Sequence, residues 1–173
     1  MTFLIDPPLK ADVELLKVLR TYAHTPSAER AVALFSRSGE HAASWFVIAG
    51  LGLACSRPGS DRRTDWARAV GATAAAYGVN TAIKYRVRRR RPRLDGLPPL
   101  TSVLSDLSFP SAHSTTSFAA ATALSKLLPA PLVYSLAGAY GLSRPYLGVH
   151  YPSDVVAGAT LGTVIGLAAR AGR

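Results

Sequence analysis

The sequence is poor in cysteine and in acidic residues. Its single cysteine, Cys55, cannot form an internal disulfide, so nothing indicates an oxidising compartment. Aspartate and glutamate number 10 against 20 lysines and arginines, which gives a formal net charge of +10. The first residues, with Asp6 followed by two prolines, lack the basic and then apolar pattern of a cleaved secretion signal. We therefore expect anionic partners, and membrane insertion through internal segments.

The sequence also lacks long hydrophobic runs, although 49% of its residues are hydrophobic, only 17% are charged and the mean hydropathy is +0.18. Its apolar residues form five uncharged segments, each shorter than the roughly 20 residues of an average spanning helix. Five such segments in succession predict an all-α, polytopic membrane bundle with five or six core helices, and a soluble helical bundle is the alternative. The segments are 42–56, 69–83, 114–125, 127–143 and 155–169.

No linker or internal repeat divides the 173 residues, which predicts a single membrane-embedded domain over 1–173. Residues 1–40 are predicted to form amphipathic N-terminal helices and residues 41–173 the helical core. One N-terminal helical face carries Leu15, Leu19 and Tyr22, and charged residues cover the rest. This pattern predicts one or two interfacial helices lying against the bundle, with a sixth spanning helix as the alternative.

The last apolar segment contains a regular glycine pattern. Gly158, Gly162 and Gly166 recur at every fourth position and therefore lie on one helical face. A face without side chains allows two helix backbones to approach closely. We expect this contact to form within the bundle.

The residues that could take part in catalysis or phosphate binding lie in three short motifs at the edges of the apolar segments. If successive segments cross in opposite directions, all three motifs lie on the same side of the bundle as the N-terminus. They are Lys84 followed after six residues by Arg91-Pro92, then Pro110 to His113, and then Ser143-Arg144 followed by His150 and Asp154.

Together these motifs resemble the three-part signature of the type-2 phosphatidic acid phosphatase superfamily. These lipid phosphate phosphatases share their site with vanadium haloperoxidases. The first and third motifs match the family spacing, and Ala112 stands where the family pattern has glycine. Its added Cβ would strain the backbone if this position required a positive φ. The resemblance covers 84–154 and implies a helical bundle of that type with a phosphatase activity that needs no cofactor.

The residue types fit transfer of a phosphoryl group to a histidine. His150 is the predicted nucleophile, because Asp154 can orient one ring nitrogen and leave the other free to attack phosphorus. His113 is the predicted acid for the departing alcohol and the base that then activates water. The histidines thus have roles other than metal binding, and no metal site is predicted. The predicted phosphate ligands are Lys84, Arg91, Ser111, Ala112 and Arg144.

The expected substrate is a lipid-linked phosphate. The small size, the basic joint after Lys84 and the sequence from Ser38 to His41 resemble the actinobacterial phosphatases of polyprenyl-phosphoryl pentoses in cell-wall precursor synthesis. The resemblance implies decaprenylphosphoryl-5-phosphoribose, with phosphatidic acid, phosphatidylglycerol phosphate and polyprenyl pyrophosphate as alternatives. Membrane lipids are expected partners and nucleic acid is not, while the number of subunits stays open. The remaining histidines, His24 and His41, match no motif and are expected to have no catalytic role.

Other classes of protein would explain parts of the sequence. A nucleic-acid-binding protein would account for the charge but not for the uncharged segments. A non-catalytic membrane scaffold and a vanadate-dependent oxidase are further alternatives. Lysine and arginine are more frequent in the joints on the N-terminal side, even without Lys84, Arg91 and Arg144. This bias predicts a protein of the inner (cell) membrane whose site faces the cytoplasm.

Overall fold

The computed structural model describes residues 9–171, so Asp6 and the prolines after it lie outside the described range. The described chain is helical, which confirms the predicted all-α class, and the five uncharged segments correspond to the last five α-helices. A short 3-10 turn, Glu40–Ala42, precedes them. The α-helices are α1 Lys10–Thr21, α2 Pro26–Ser38, α3 Ala43–Ala54, α4 Asp61–Val87, α5 Ala112–Leu124, α6 Ala130–Tyr146 and α7 Pro152–Ala171.

Local signals set the helix ends that carry the motifs. The Ser60 side chain accepts the Arg63 amide and begins α4, and Arg88 ends this helix in a left-handed conformation with φ of 56°. Ser111 begins α5 in the same way by accepting the Ser114 amide. The basic loop between α4 and α5 is therefore held at both ends by the helices.

Helix α5 is the centre of the bundle and packs against α4, α6 and α7. It consists mainly of alanine, serine and threonine, and most of its side chains are buried. Larger apolar side chains such as Leu51, Val79, Leu142 and Val164 point outward from the surrounding helices. Small residues between helices and large apolar residues outside are the arrangement of a protein packed in lipid.

By length and composition, one helix of residues 9–171 could cross a membrane, and this helix is α7. That the other four uncharged segments cross the membrane stays a prediction.

The glycine face of α7 packs against α5, which confirms the predicted contact within the bundle. A Cβ added to Gly158 would lie 2.7 Å from the Ser111 carbonyl oxygen, and one added to Gly162 would overlap the Thr115 carbonyl. These distances leave no space for a side chain. The helices that carry the second and third motifs are thereby held at backbone contact.

The N-terminal helices lie against the bundle, α1 against α6 and α7 and α2 against α6. The buried face of α1 is formed by Asp12, Leu16 and Arg20, whereas Leu15 and Tyr22 are exposed. Two of the three residues of the apolar face recognised in the sequence therefore point away from the protein, whereas Leu19 is half-buried. The polar face makes specific contacts inside.

Candidate active site

Residues from all three motifs line one pocket with a volume of about 340 Å³. The pocket lies at the end of the bundle where α4, α5 and α6 present their motif-bearing termini. The structure therefore brings together stretches that are far apart in the sequence. The motif residues that line it are Lys84, Arg91, Ala112, His113, Arg144 and His150.

His150 lies between α6 and α7 and is only 2% exposed. Its Nε2 lies 3.0 Å from Arg91 Nη1, and its Nδ1 lies 3.4 Å from Asp154 Oδ2. A guanidinium can only donate, so Nε2 accepts and the ring hydrogen belongs on Nδ1, towards the carboxylate. The unprotonated nitrogen therefore faces the cationic pocket.

The surroundings of His150 favour the neutral ring. Burial lowers the pKa of His150 well below its ordinary value, and the positive charges of Arg91 and Arg144 lower this pKa further. A neutral imidazole keeps the lone pair that a nucleophile needs.

Three cations line the pocket, Lys84, Arg91 and Arg144, and each donates a hydrogen bond to an acceptor of the protein. Arg91 donates to the carbonyl oxygens of Ser105 and Val149, each over 2.7 Å. Arg144 donates to Ser36 Oγ over 2.5 Å, and Lys84 donates to the Leu107 carbonyl over 3.3 Å. Burial lowers the pKa of Arg91 to about 10, which still leaves it charged at neutral pH. The arrangement suits an anion with several oxygens.

His113 lies in the first turn of α5 with its ring in the pocket. Its Nε2 is 3.0 Å from the carbonyl oxygen of Ser36. Because a carbonyl only accepts, Nε2 carries the hydrogen in this tautomer and Nδ1 is the nitrogen left to exchange a proton with a ligand. Ser36 therefore orients His113 through its backbone and Arg144 through its hydroxyl.

Ser111 and Ala112 occupy different positions relative to the pocket. Ala112 lines it and is the first residue of α5, where an alanine has ordinary helical geometry; the glycine of the family pattern is not needed here for a positive φ. Ser111 is fully buried, and its N–H donates to the Asp154 carbonyl over 3.0 Å. The Ser111 N–H is thus used in the hydrogen bond that joins α5 to α7. Phosphate binding by Ser111 stays a prediction, and it concerns the hydroxyl alone.

The structure adds residues that the motifs do not contain. Arg89 donates to Asp154 and to Asp12, and Ser36 supports Arg144 and His113. Arg89 was one member of an arginine run in which only Arg91 was distinguished by its spacing. The equal spacing of Asp12, Leu16 and Arg20, which places them on one face of α1, was the available signal for Asp12.

Several polar residues that line the pocket belong to none of the three motifs. They include Glu40, His41, Tyr77 and Thr81, and His41 Nδ1 lies 2.8 Å from the Tyr77 hydroxyl. The backbone of His41 is left-handed, with φ of 52°, which turns this segment towards the pocket. His41 therefore lies at the site although no motif includes it, whereas His24 pairs with Glu29 outside the pocket.

Relatives of this chain are found among mycobacterial enzymes. The decaprenylphosphoryl-5-phosphoribose phosphatase of Mycobacterium tuberculosis (strain CDC 1551 / Oshkosh) is 40% identical over 132 residues, which cover 76% of this chain and 72% of the relative. The protein of the same name from Mycolicibacterium smegmatis is 39% identical over 154 residues, which cover 88% of this chain and 83% of the relative.

Solved structures share the fold. LpxE of Aquifex aeolicus superposes with a TM-score of 0.74 at 20% identity, over 97% of this chain and 99% of its own. A transmembrane PAP2-type phosphatidylglycerolphosphate phosphatase of Bacillus subtilis gives 0.71 at 25% identity, over 92% of this chain and 83% of its own. A bacterial vanadium-dependent iodoperoxidase gives 0.74 at 18% identity, over 95% of this chain and 49% of its own.

The family pattern of the PAP2 superfamily matches residues 65–172, a range that contains all three motifs and the helices that carry them. The motif spacing, the shared pocket and the common fold lead to the same assignment. This chain is a member of the PAP2 superfamily.

Proposed function

We propose that this chain is a membrane phosphatase that removes a phosphate monoester from a lipid-linked substrate through a phosphohistidine. One observation carries this proposal: an imidazole lone pair, that of His150 Nε2, faces a pocket lined by Lys84, Arg91 and Arg144. The nucleophile and the phosphate-binding cations are thus within one cavity. Both mycobacterial relatives are named as phosphatases, which supports a phosphatase activity for this chain.

The first chemical step transfers the phosphoryl group to the enzyme. His150 Nε2 forms a bond to phosphorus while the bond between phosphorus and the substrate alcohol oxygen breaks. For this step the His113 ring must be the imidazolium: Nε2 keeps the hydrogen that it donates to the Ser36 carbonyl, and Nδ1 gives its proton to the departing oxygen. The product then leaves as a neutral alcohol and the His113 ring becomes neutral. The three cations stabilise the non-bridging oxygens, on which charge resides as the loose transition state forms.

The second step regenerates the enzyme. Water attacks phosphorus, His113 accepts a proton from this water, and the bond between phosphorus and His150 breaks. The products are inorganic phosphate and the free imidazole. Asp154 stays ionised throughout and stabilises the positive charge of the ring in the intermediate. The chain's residues supply both proton transfers, so we predict that no metal is required.

The proposed substrate is a polyprenyl-phosphoryl pentose phosphate of the decaprenylphosphoryl-5-phosphoribose type. Its support is the naming of two relatives at about 40% identity, together with the polar residues that line the same pocket as the cations. A pentose between two phosphates needs hydrogen-bonding partners beside the cations, and Glu40, His41 and Tyr77 offer them. The lipid tail would stay in the bilayer beside the exposed apolar faces of the helices.

We also propose that the site opens on the cytoplasmic side of the inner membrane. The basis is the excess of lysine and arginine in the joints on the side of the N-terminus. Labelling of a cysteine introduced at exposed Arg93, in intact cells and in inverted vesicles, tests this orientation. A Cys55→Ser background removes the one natural thiol.

Phosphate release by purified protein in detergent, with EDTA present, tests the activity. The substrates are a short-chain prenyl-phosphoryl ribose 5-phosphate, dioctanoyl phosphatidic acid, phosphatidylglycerol phosphate and farnesyl pyrophosphate. We expect release to be fastest from the ribose 5-phosphate and to be lost in His150→Ala and His113→Ala. His24→Gln is the matched control, since this histidine lies outside the pocket. A requirement for added divalent metal, or full activity of His150→Ala, would contradict the mechanism.

A further inference from the structure

A chain of buried ion pairs connects α1 to the carboxylate behind the proposed nucleophile. Arg89 is its centre: Nη2 donates to Asp12 Oδ2 and Nη1 donates to Asp154 Oδ1, each over 2.8 Å. The exposed fractions of Asp12, Arg89 and Asp154 are 6%, 4% and 0%. Removal of one partner from such a buried set leaves an uncompensated charge, which the neighbouring groups must move to accommodate.

Asp12 also binds the first turn of α7. Its Oδ1 accepts the N–H of Ser153 over 2.9 Å, and its Oδ2 accepts the hydroxyl of the same serine. The first amides of a helix have no partner within the helix, so a carboxylate is favoured there. Because Ser153 immediately precedes Asp154, this contact fixes the backbone from which the Asp154 side chain projects.

A further contact of the Asp154 carboxylate involves the same groups. Its Oδ2 accepts the N–H of Tyr151 over 2.9 Å, and the Arg89 guanidinium lies 4.3 Å from the centre of the Tyr151 ring. The same Oδ2 is the oxygen that faces His150 Nδ1 at 3.4 Å. A shift of Arg89 or of the first turn of α7 would therefore change the position of the carboxylate relative to the imidazole.

We propose that Asp12 is a positioning residue of the active site, which acts through Arg89 and the first turn of α7 to set Asp154 and thereby to orient His150. This inference rests on His150 as the nucleophile of the proposed function, but not on the identity of the lipid. It makes α1 part of the catalytic apparatus, although the pocket is lined by later parts of the described chain.

A purely structural role would make Asp12 an anchor that only holds α1 on the bundle. The two roles have different kinetic consequences. Misorientation of the nucleophile lowers kcat and leaves KM nearly unchanged, since the cations that hold the phosphate are intact. Loss of an anchor lowers the thermal midpoint, and the rate at temperatures well below that midpoint stays normal.

The test compares Asp12→Asn with Glu14→Gln in the full chain. Glu14 is on the same helix, but it is exposed and paired with exposed Lys17 at 2.8 Å, so its loss controls for a changed charge on α1. The assay uses the prenyl-phosphoryl ribose 5-phosphate, or dioctanoyl phosphatidic acid if the wild type prefers it. We expect kcat to fall about tenfold to a hundredfold in Asp12→Asn with KM within about threefold, and no change in Glu14→Gln.

Two further variants show whether Asp12 acts through the network. Arg89→Gln should lower kcat, and the double variant Asp12→Asn/Arg89→Gln should lose less than the two single losses combined, since both residues act on Asp154. Ser153→Ala removes one hydroxyl from the same network and should lower kcat about threefold or more. This milder variant decides the matter if Asp12→Asn does not fold.

Wild-type kcat in Asp12→Asn, or in Ser153→Ala where Asp12→Asn is unfolded, would overturn the positioning role. Fully additive losses in the double variant would overturn it too. Failure of the proposed function looks different, because wild type and all variants would then release no phosphate from any member of the panel.

Discussion

Arg91 donates a hydrogen bond from Nη1 to Nε2 of His150 over 3.0 Å. The guanidinium thus occupies the side of the ring from which a phosphorus atom would approach. An incoming phosphate offers Arg91 a charged acceptor in place of a neutral one, and such bonds are the stronger kind. Substrate binding is therefore expected to release the ring nitrogen at the moment when it is needed.

The acid limb of the pH profile of kcat/KM should lie below about pH 6.5, the pKa of an ordinary imidazole. Burial lowers the pKa of His150, and Arg91, Arg144, Lys84 and His113 add to the effect, so the proposed nucleophile loses its lone pair only at lower pH. Removal of a nearby cation in Arg91→Gln should move this limb to higher pH in the residual activity. A limb at the same pH in both proteins would contradict this account.

Ser36→Ala should lower kcat/KM about tenfold, because Arg144 loses the hydroxyl that holds it at 2.5 Å. The Ser36 carbonyl remains, so His113 keeps its partner and the proton transfers stay intact. The loss should therefore be largest in KM. Ser27→Ala, an exposed serine of the same helix, is the control. Equal KM values in the two variants would show that Ser36 does not position Arg144.

Tyr77→Phe should reduce the preference for a pentose phosphate over phosphatidic acid by about threefold to tenfold. The change removes the hydroxyl that pairs with His41 at 2.8 Å, and both residues line the pocket. Phosphatidic acid has no sugar, so its kcat/KM should stay the same. Tyr22→Phe, on the exposed face of α1, controls for the loss of a hydroxyl. An equal loss for both lipids would assign Tyr77 to the phosphate rather than to the sugar.

Gly162→Ala should destabilise the protein by about 1–3 kcal/mol, because the new Cβ would overlap the Thr115 carbonyl of α5. Gly138→Ala is the matched helical control, since the space around its Cβ is open to at least 4 Å. This second change should stabilise α6 by about 0.5–1 kcal/mol. Thermal midpoints in detergent measure both. A neutral Gly162→Ala would mean that α5 and α7 are not in backbone contact.

The helices and the three motifs were predictable because both depend on local patterns. The uncharged segments mark α3 to α7, and the spacing from Lys84 to Arg91 and from His150 to Asp154 is fixed along the chain. Helix α4 extends beyond its uncharged segment at both ends, since charged residues are compatible with a helix whose ends reach polar surroundings.

The supporting contacts could not be predicted, because their partners are distant in the sequence. Asp12 and Arg89 are 77 residues apart, and Ser36 and Arg144 are 108 apart. A charged residue on an amphipathic helix is usually solvated, and the arginine run offers several candidates for burial. The choice of Arg89 depends on the turn at Arg88, where the left-handed backbone directs the chain inward.

The contact between α5 and α7 joins the parts of the site that carry the two histidines of the motifs. Gly158 lies against the Ser111 carbonyl, and the Ser111 amide is bonded to Asp154, so His113 and His150 belong to one rigid body. The loop between α4 and α5 and the turn Glu40–Ala42 also line the pocket, and they lie outside this helix contact. Divergence of headgroup preference among related chains should therefore be concentrated in these two segments, while the distance between the two imidazoles stays constant.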